Sequence, residues 1–342
     1  MIFFAVCFCY IGALIGAGFA SGKEIQLFFT QFGTVSLCST AFAGFLFAFL
    51  AYATLRLCQR HKITNLYHFF TFCLGNVMGR CMYHLLRLFL FFSITVMISA
   101  WDSLCQVFFL DSPGTGGFLF TLFLYFFLLK PKAGMITGNV LFVPILIAMM
   151  LFLWQSSISP GILWNIIKTE SIPSLSQWGN SFFWGILYVS YNFLSAGAIL
   201  LPFAQEENET KSKTAAIGGG SAGAILGLLL FFGNLALLSQ ENGVALSPMP
   251  FLAMAGNFPL GMIFYAFPFG AAVITTALTN SFALLQDSSF LTKGGILLFS
   301  FMVAAGGDFS QLISLLYPFT GVGGVCLILA VTYRFLFDQK KR

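Results

Sequence analysis

The chain has 342 residues, 58% hydrophobic and only 8% charged, with 45 Phe and a formal net charge of +5. Soluble domains carry about 25% charged residues, so this composition excludes a water-soluble globular protein and points to an integral membrane protein. The lipid bilayer is its expected partner, with no role for nucleic acid.

Apolar runs of about 20 residues predict ten membrane spans. The first covers 2–31 and is interrupted near Gly16; the second covers 35–57, the third 82–109, the fourth 115–130 and the fifth 134–154. A polar, Pro-containing stretch follows. The sixth span covers 177–204 and is also expected to be interrupted; the seventh covers 215–238, the eighth 259–285, the ninth 290–306 and the tenth 309–337. No Lys or Arg precedes Lys23, so the first run lacks the basic n-region of a signal peptide and is expected to be retained.

Fourteen of the sixteen basic residues fall in even-numbered connections or at the C-terminal end, and only Lys23 and Lys168 fall on the other face. The positive-inside rule then makes both termini cytoplasmic and turns residues 155–176 outward. Trp101, Trp154, Trp164 and Trp178 fall at outer span ends or in the outer loop, as an aromatic belt requires. Five spans precede the loop and five follow, so the second half enters the membrane with opposite polarity. The expectation is an all-α protein with a five-plus-five inverted repeat: 1–154 as one half, 155–176 as outer loop, 177–342 as the other half.

Both first spans of these halves read as irregular. "IGALIGAGFASGKEI" places Gly16, Ala17, Gly18, Phe19, Ala20 and Ser21 at membrane depth, and each interior Gly costs a helix roughly 1 kcal/mol relative to Ala. "SYNFLSAGAILLP" does the same with Ser190, Tyr191, Asn192, Ser195, Ala196 and Gly197, followed by Pro202. Matched interruptions in two halves mark a transporter binding site, because unwound backbone offers free N–H and C=O groups to a solute. Gly16 to Ser21, Tyr191, Asn192, Ser195 and Ala196 are therefore the candidate substrate contacts. Close helix packing by small residues, as at Gly12 and Gly16 in "GALIG", is the competing explanation of the glycines. Lys23 and Glu24 open the outer half of span one, where a gate or a solvated helix start both fit.

Asp102, near the outer end of span three, is an intramembrane carboxylate and so a candidate for coupling or substrate binding. Asp308 is expected to cap span ten. An intramembrane aspartyl protease is excluded. "AGGD" at 305–308 misses the required motif, and Trp rather than Tyr precedes Asp102. The eight Cys are scattered and the three His form no metal-binding cluster, so neither a metal cofactor nor an enzyme is expected.

The stretch "IGALIGAGFASGKEIQLFF" (residues 11–29) resembles the first span of the YkvI-like bacterial membrane proteins, distant relatives of the amino acid–polyamine–cation transporter superfamily. The resemblance implies the leucine-transporter fold in a bacterial inner membrane, with spans one and six broken around a central solute. It also implies a Na⁺ site between spans one and eight. The carbonyls of Gly12, Ile15 and Ala272 and the hydroxyls of Thr275 and Thr276 are the residues that match. Proton-coupled relatives place a Lys in span five, and span five here has none between Gly134 and Trp154.

Together these readings predict a secondary transporter that moves a small solute by alternating access. An amino acid is the expected substrate and Na⁺ the expected coupling ion. Phe19, Tyr191, Phe193, Phe267 and Phe269 are offered as apolar pocket walls. A proton-coupled carrier of the same fold and a channel remain the alternatives. A channel would need repeated filter loops or rings of like residues, and neither is visible.

Overall fold

The computed structural model describes residues 1–108, 112–155, 158, 161, 173–205, 208–240, 247, 249–256, 261–306 and 310–337. Among these, all regular structure is helical. The first predicted span forms three helices, α1 (Ile2–Leu14), α2 (Ala17–Ala20) and α3 (Lys23–Phe28), and ends in a 3₁₀ turn at Thr30–Phe32. The rest of the first half comprises α4 (Val35–Arg60), α5 (Leu66–Leu74), α6 (Asn76–Phe108), α7 (Thr115–Phe127) and α8 (Pro131–Gln155). After the long connection come α9 (Leu175–Ala204), α10 (Glu209–Leu238), α11 (Pro250–Ala255), α12 (Gly261–Leu285), α13 (Phe290–Ala305) and α14 (Ser310–Phe337). Lys168, Trp164 and Asp308 lie outside the described residues.

Within the described residues each predicted span falls on helix, but the lengths differ. Among the described residues, seven helices are long and apolar enough to cross a membrane: α4, α6, α8, α9, α10, α12 and the Thr320–Phe337 part of α14. Three others, α1, α7 and α13, are apolar but shorter. Polar residues extend two helices beyond the apolar runs. Residues 76–81 form the start of α6, and Asn208 caps α10 by accepting from Thr210 N at 2.9 Å and Lys211 N at 3.4 Å. Similar side-chain caps start α5 at Asn65, α9 at Ser174 with Gln177, and α13 at Ser289. These acceptors satisfy amides that have no intrahelical partner.

Span one is broken, as expected, and span six is not. α9 runs unbroken for 30 residues, with Pro202 in its last turn. The polar side chains taken as signs of unwinding instead bond to their own helix. Asn192 Nδ2 donates to Tyr188 O (3.1 Å), Ser195 Oγ to Asn192 O (3.0 Å), and Ser190 Oγ to Leu187 O (2.8 Å). Polar groups in an apolar surround that find acceptors one turn back leave the ladder intact. Lys132 Nζ donates to Pro202 O at 3.0 Å, which places a cation at the carbonyl end of the helix dipole.

The interior is built on close helix contacts made by small residues. α4 and α10 pack along their length. A Cβ at Gly44 would overlap the Gly227 Cα, and one at Gly223 would overlap the backbone of Ala48. α1 sits inside a ring formed by α8, α9, α10 and α12. Trp154, expected in the interfacial belt, is 1% exposed and packs against Phe19 and Phe251 at centroid distances of 6.5 and 5.4 Å. Trp178, in contrast, is 37% exposed. One apolar side chain looks like another in sequence, and only the packing separates a core Trp from a lipid-facing one.

Replacing Gly44 or Gly227 by Leu forces α4 and α10 apart, at a cost of roughly 1–3 kcal/mol. The melting temperature in detergent is expected to fall and the monodisperse fraction on size exclusion to shrink. Gly295→Leu is the control, since a Cβ there meets nothing within 4 Å, and it should leave both readings unchanged.

Candidate functional site

The break in span one comes from two consecutive non-helical residues. α1 ends at Leu14, Ile15 adopts φ −91° and ψ 85°, and Gly16 is extended at φ −90° and ψ −176°. Neither conformation continues a helix, so carbonyls of the last turn lose their intrahelical donors. Thr276 of α12 supplies a replacement. Its Oγ1 donates to Ile15 O at 3.2 Å and approaches Gly12 O at 3.4 Å. A second break follows at Ser21–Gly22. Gly22 is left-handed at φ 82°, where a Cβ is strained, and a side chain there would press on the Phe251 ring at 3.0 Å. Phe251 N donates to Ser21 O at 3.0 Å, so α11 braces this second turn.

The first break opens onto a cavity of about 310 Å³. Gly16, Ala17, Gly18 and Glu24 line it from span one, Tyr191, Asn192 and Ser195 from α9, and Thr276 and Asn280 from α12. Phe89, Ser93, Val96 and Met97 close the α6 side, where Asn280 Nδ2 donates to Ser93 Oγ at 2.7 Å. Six of the ten sequence-predicted substrate contacts thus border one space. The other four do not. Phe19, Ala20 and Ala196 are fully buried in side-chain packing, and Ser21 turns its Oγ onto Gly18 O at 2.9 Å. Of the predicted aromatic walls only Tyr191 faces the cavity. Phe267 is 60% exposed, while Phe193 and Phe269 lie in the core.

The five oxygens implied for a cation are brought together in part. Thr276 bridges the Gly12 and Ile15 carbonyls, while Thr275 Oγ1 bonds its own helix at Ala271 O (3.0 Å) and Ala272 O (3.2 Å). One residue at this seam was not singled out in the sequence. Asn139 of α8 is fully buried and its Oδ1 makes no hydrogen bond, yet that oxygen rests directly over Gly12, in the place a Cβ would occupy. A lone Asn in the apolar run "GMITGNVLFVP" was the available signal. Among the described residues, no group of three His, Cys, Asp or Glu side chains is placed to hold a metal ion.

Lys23 and Glu24 diverge. Lys23 Nζ donates to Gln26 Oε1 at 2.8 Å, whereas Glu24 turns into the cavity with the Tyr191 and Tyr188 hydroxyls beside its carboxyl. Asp102 does not border the cavity. Its Oδ1 accepts from Gly117 N at 2.8 Å, and its Oδ2 from Gly114 N at 2.9 Å and Gln106 Nε2 at 2.7 Å. The N-cap of α7 is Gly114, which has no side chain, and Asp102 serves as the acceptor from the neighbouring helix. The structure therefore gives Asp102 a capping role, and that pairing depends on a turn the sequence does not reveal.

No protein-family model matches the chain. The chain is 27% identical over 339 residues to the uncharacterized membrane protein YkvI of Bacillus subtilis (strain 168), covering 94% of this chain and 93% of that protein. It is 28% identical over 344 residues to the uncharacterized protein YyaD of the same organism, with 93% and 94% covered. The resemblance read from residues 11–29 thus extends over nearly the whole chain. Among solved structures, it is similar to the Eremococcus coleocola manganese transporter bound to an aromatic bis-isothiourea compound. The TM-score is 0.61 at 14% identity, covering 97% of this chain and 77% of that one. It is also similar to a Na⁺-coupled sialic acid symporter in an outward-open state, with a TM-score of 0.51 at 14% identity and 98% and 83% covered. These likenesses establish a shared helical membrane fold. The solved neighbours are transporters, not enzymes.

Asp102→Ala removes acceptors from two backbone amides at the start of α7. A stability loss of about 1–3 kcal/mol is expected, read as a lower melting temperature in detergent. The protein that remains folded should keep the ligand affinity of the cavity unchanged, because the carboxylate lies outside it. Weaker ligand binding without loss of stability would return Asp102 to the candidate site.

Proposed function

We propose that this relative of the YkvI-like membrane proteins is a secondary transporter that moves a small organic solute, an amino acid in our reading, by alternating access. The observation that carries the reading is the interrupted first helix opening onto a cavity walled by three other membrane helices. Irregular backbone at membrane depth is tolerated only where protein or a cavity receives it, and in transporters such breaks sit at the solute site. A volume of about 310 Å³ lies at the small end of ligand pockets, which suits a solute of amino-acid size. The transporter folds matched at 97% and 98% of the chain are consistent with this class.

In this reading the chain crosses the membrane ten times, with α1–α3 counted as one crossing and residues 1–154 and 177–342 as inverted halves. Both termini face the cytoplasm. The distribution of basic residues supports that orientation. Na⁺ is the coupling ion, held at the seam of α1 and α12. The support is chemical: the Thr276 hydroxyl meets the Gly12 and Ile15 carbonyls at this seam, the Thr275 hydroxyl and the Ala272 carbonyl lie beside it on α12, and the unpartnered Oδ1 of Asn139 rests over Gly12. An all-oxygen donor set suits a hard cation.

Uptake into proteoliposomes distinguishes a carrier from a channel. Initial rates against solute concentration should saturate, and a linear dependence would rule out alternating access. Orientation is read with Lys211→Cys on a cysteine-free background. An impermeant thiol reagent applied to intact cells should leave this site unlabelled, and labelling from outside would invert the topology.

Coupling is read from the double substitution Thr275→Val with Thr276→Val, which keeps side-chain shape and deletes two hydroxyls. Losing polar partners of this kind costs about 1–3 kcal/mol each. The half-saturating Na⁺ concentration should therefore rise roughly ten-fold or more, and solute affinity at fixed Na⁺ should fall with it by reciprocity. Wild-type uptake that ignores Na⁺ and follows an imposed proton gradient would overturn the sodium assignment.

A further inference from the structure

Where the ends of α4 and α14 meet α5, two guanidinium groups lie on aromatic rings instead of beside carboxylates. Arg60, in the last turn of α4, stands over the Phe335 ring of α14 with its Cζ 5.7 Å from the centroid. Arg334, one residue earlier on α14, stands over the Phe72 ring of α5 at 5.0 Å. Phe72 packs in turn on the His61 ring at 4.6 Å. Phe335 meets Phe49 and Tyr52 of α4 edge-on at 5.8 and 6.1 Å. Each ring is braced from behind, so each cation has a fixed seat. Arg60 is exposed and Arg334 half-buried. Among the described residues neither pairs with a carboxylate; Glu209 of α10 is held by Lys213 at 2.7 Å and has Arg56, one turn before Arg60, as its other cation. Phe45, Phe49 and Tyr52 share the face of α4 that ends in Arg60, and Phe45 and Tyr52 are 64% and 38% exposed.

A lone arginine at a helix end snorkels into water and needs no partner. Two from different helices, each seated on a ring at the same boundary, form a different arrangement. A guanidinium is a planar fork that meets a phosphate with two parallel hydrogen bonds, and an aromatic ring under its face leaves those N–H edges free. We propose that this corner binds an anionic phospholipid, its phosphate between Arg60 and Arg334 and an acyl chain along the Phe45–Tyr52 face of α4. In the orientation proposed above this end faces the cytoplasm, the side on which basic pockets between membrane helices take anionic headgroups. A soluble phosphate would use the two cations and leave the exposed aromatic face bare, whereas a lipid covers both. The corner stands apart from the central cavity, since none of its residues lines that space, and its ligand is independent of the solute carried.

Native mass spectrometry of the purified full-length protein in detergent resolves bound lipids and gives their affinities. The probes are phosphatidylglycerol, phosphatidylcholine and glycerol 3-phosphate, which shares the phosphate and lacks the acyl chains. Phosphatidylglycerol should bind the wild type about ten-fold more tightly than phosphatidylcholine, and Arg60→Gln and Arg334→Gln should each weaken it about ten-fold, the loss of one charged hydrogen-bond partner. Glycerol 3-phosphate should not bind at the same concentrations. Lys130→Gln removes one exposed positive charge from the connection between α7 and α8 and should leave the affinity unchanged. If Arg334→Gln does not fold, Arg60→Gln carries the test, because that side chain is exposed and its loss leaves the packing of α14 in place. Equal affinity for phosphatidylcholine, or wild-type affinity in the arginine variants, overturns the proposal. Saturable binding of glycerol 3-phosphate would assign the corner to a soluble anion and overturn it as well. An equal loss in Lys130→Gln would reduce the effect to overall charge, with the same consequence.

Discussion

A helix that stops inside a membrane must have its stranded carbonyls met by something other than water. Here the meeting point is the Thr276 hydroxyl against Gly12 and Ile15. In hydrocarbon each unsatisfied backbone group costs several kcal/mol, so α12 must lie against the end of α1. Much of the remaining architecture follows from holding that contact. α8 packs on α12 and on α1, and α9 and α10 close the ring. The cavity lies beside the same break, since a helix cannot be interrupted and fully packed on every side at the same depth.

The second turn of span one depends on the same logic. Gly22 takes a left-handed conformation, α11 supplies a donor to the Ser21 carbonyl, and the Phe251 ring covers the glycine. Between the two turns lie only four helical residues, Ala17–Ala20, too few to stand alone. Packing of Phe19 against Trp154 holds them in place. The cavity-facing backbone is thus a short segment pinned at both ends, which gives the cavity a defined wall.

The break in span one was legible because three glycines in seven residues leave a helix little reason to continue. The supposed break in span six was misread for a reason equally local. Ser190, Asn192 and Ser195 weaken a helix in solution, but deep in an apolar surround they bond back to it. Sequence does not say which will happen, since the outcome depends on whether other acceptors stand nearby. The direction of Glu24 was hidden, because it follows from a backbone angle at Gly22 and a vacancy at Gly18. Nor did the α6 wall stand out, as Phe89, Val96 and Met97 are indistinguishable from the many lipid-facing residues of the same kinds. Asp102 was recognised as unusual, but the backbone amides that donate to it, those of Gly114 and Gly117, belong to the start of the next helix, and the chain pattern does not disclose that pairing.

The contact between α4 and α10 bears on how such a molecule can move. Where two helices meet through Gly44 and Gly227, with no side chains between them, neither can roll about its own axis without driving backbone into backbone. Interdigitated side chains can change rotamer and let neighbouring helices slide; bare backbones have no such freedom. Any movement of one of these two helices must therefore carry the other with it, and relative motion elsewhere in the bundle must fall at softer contacts than this one.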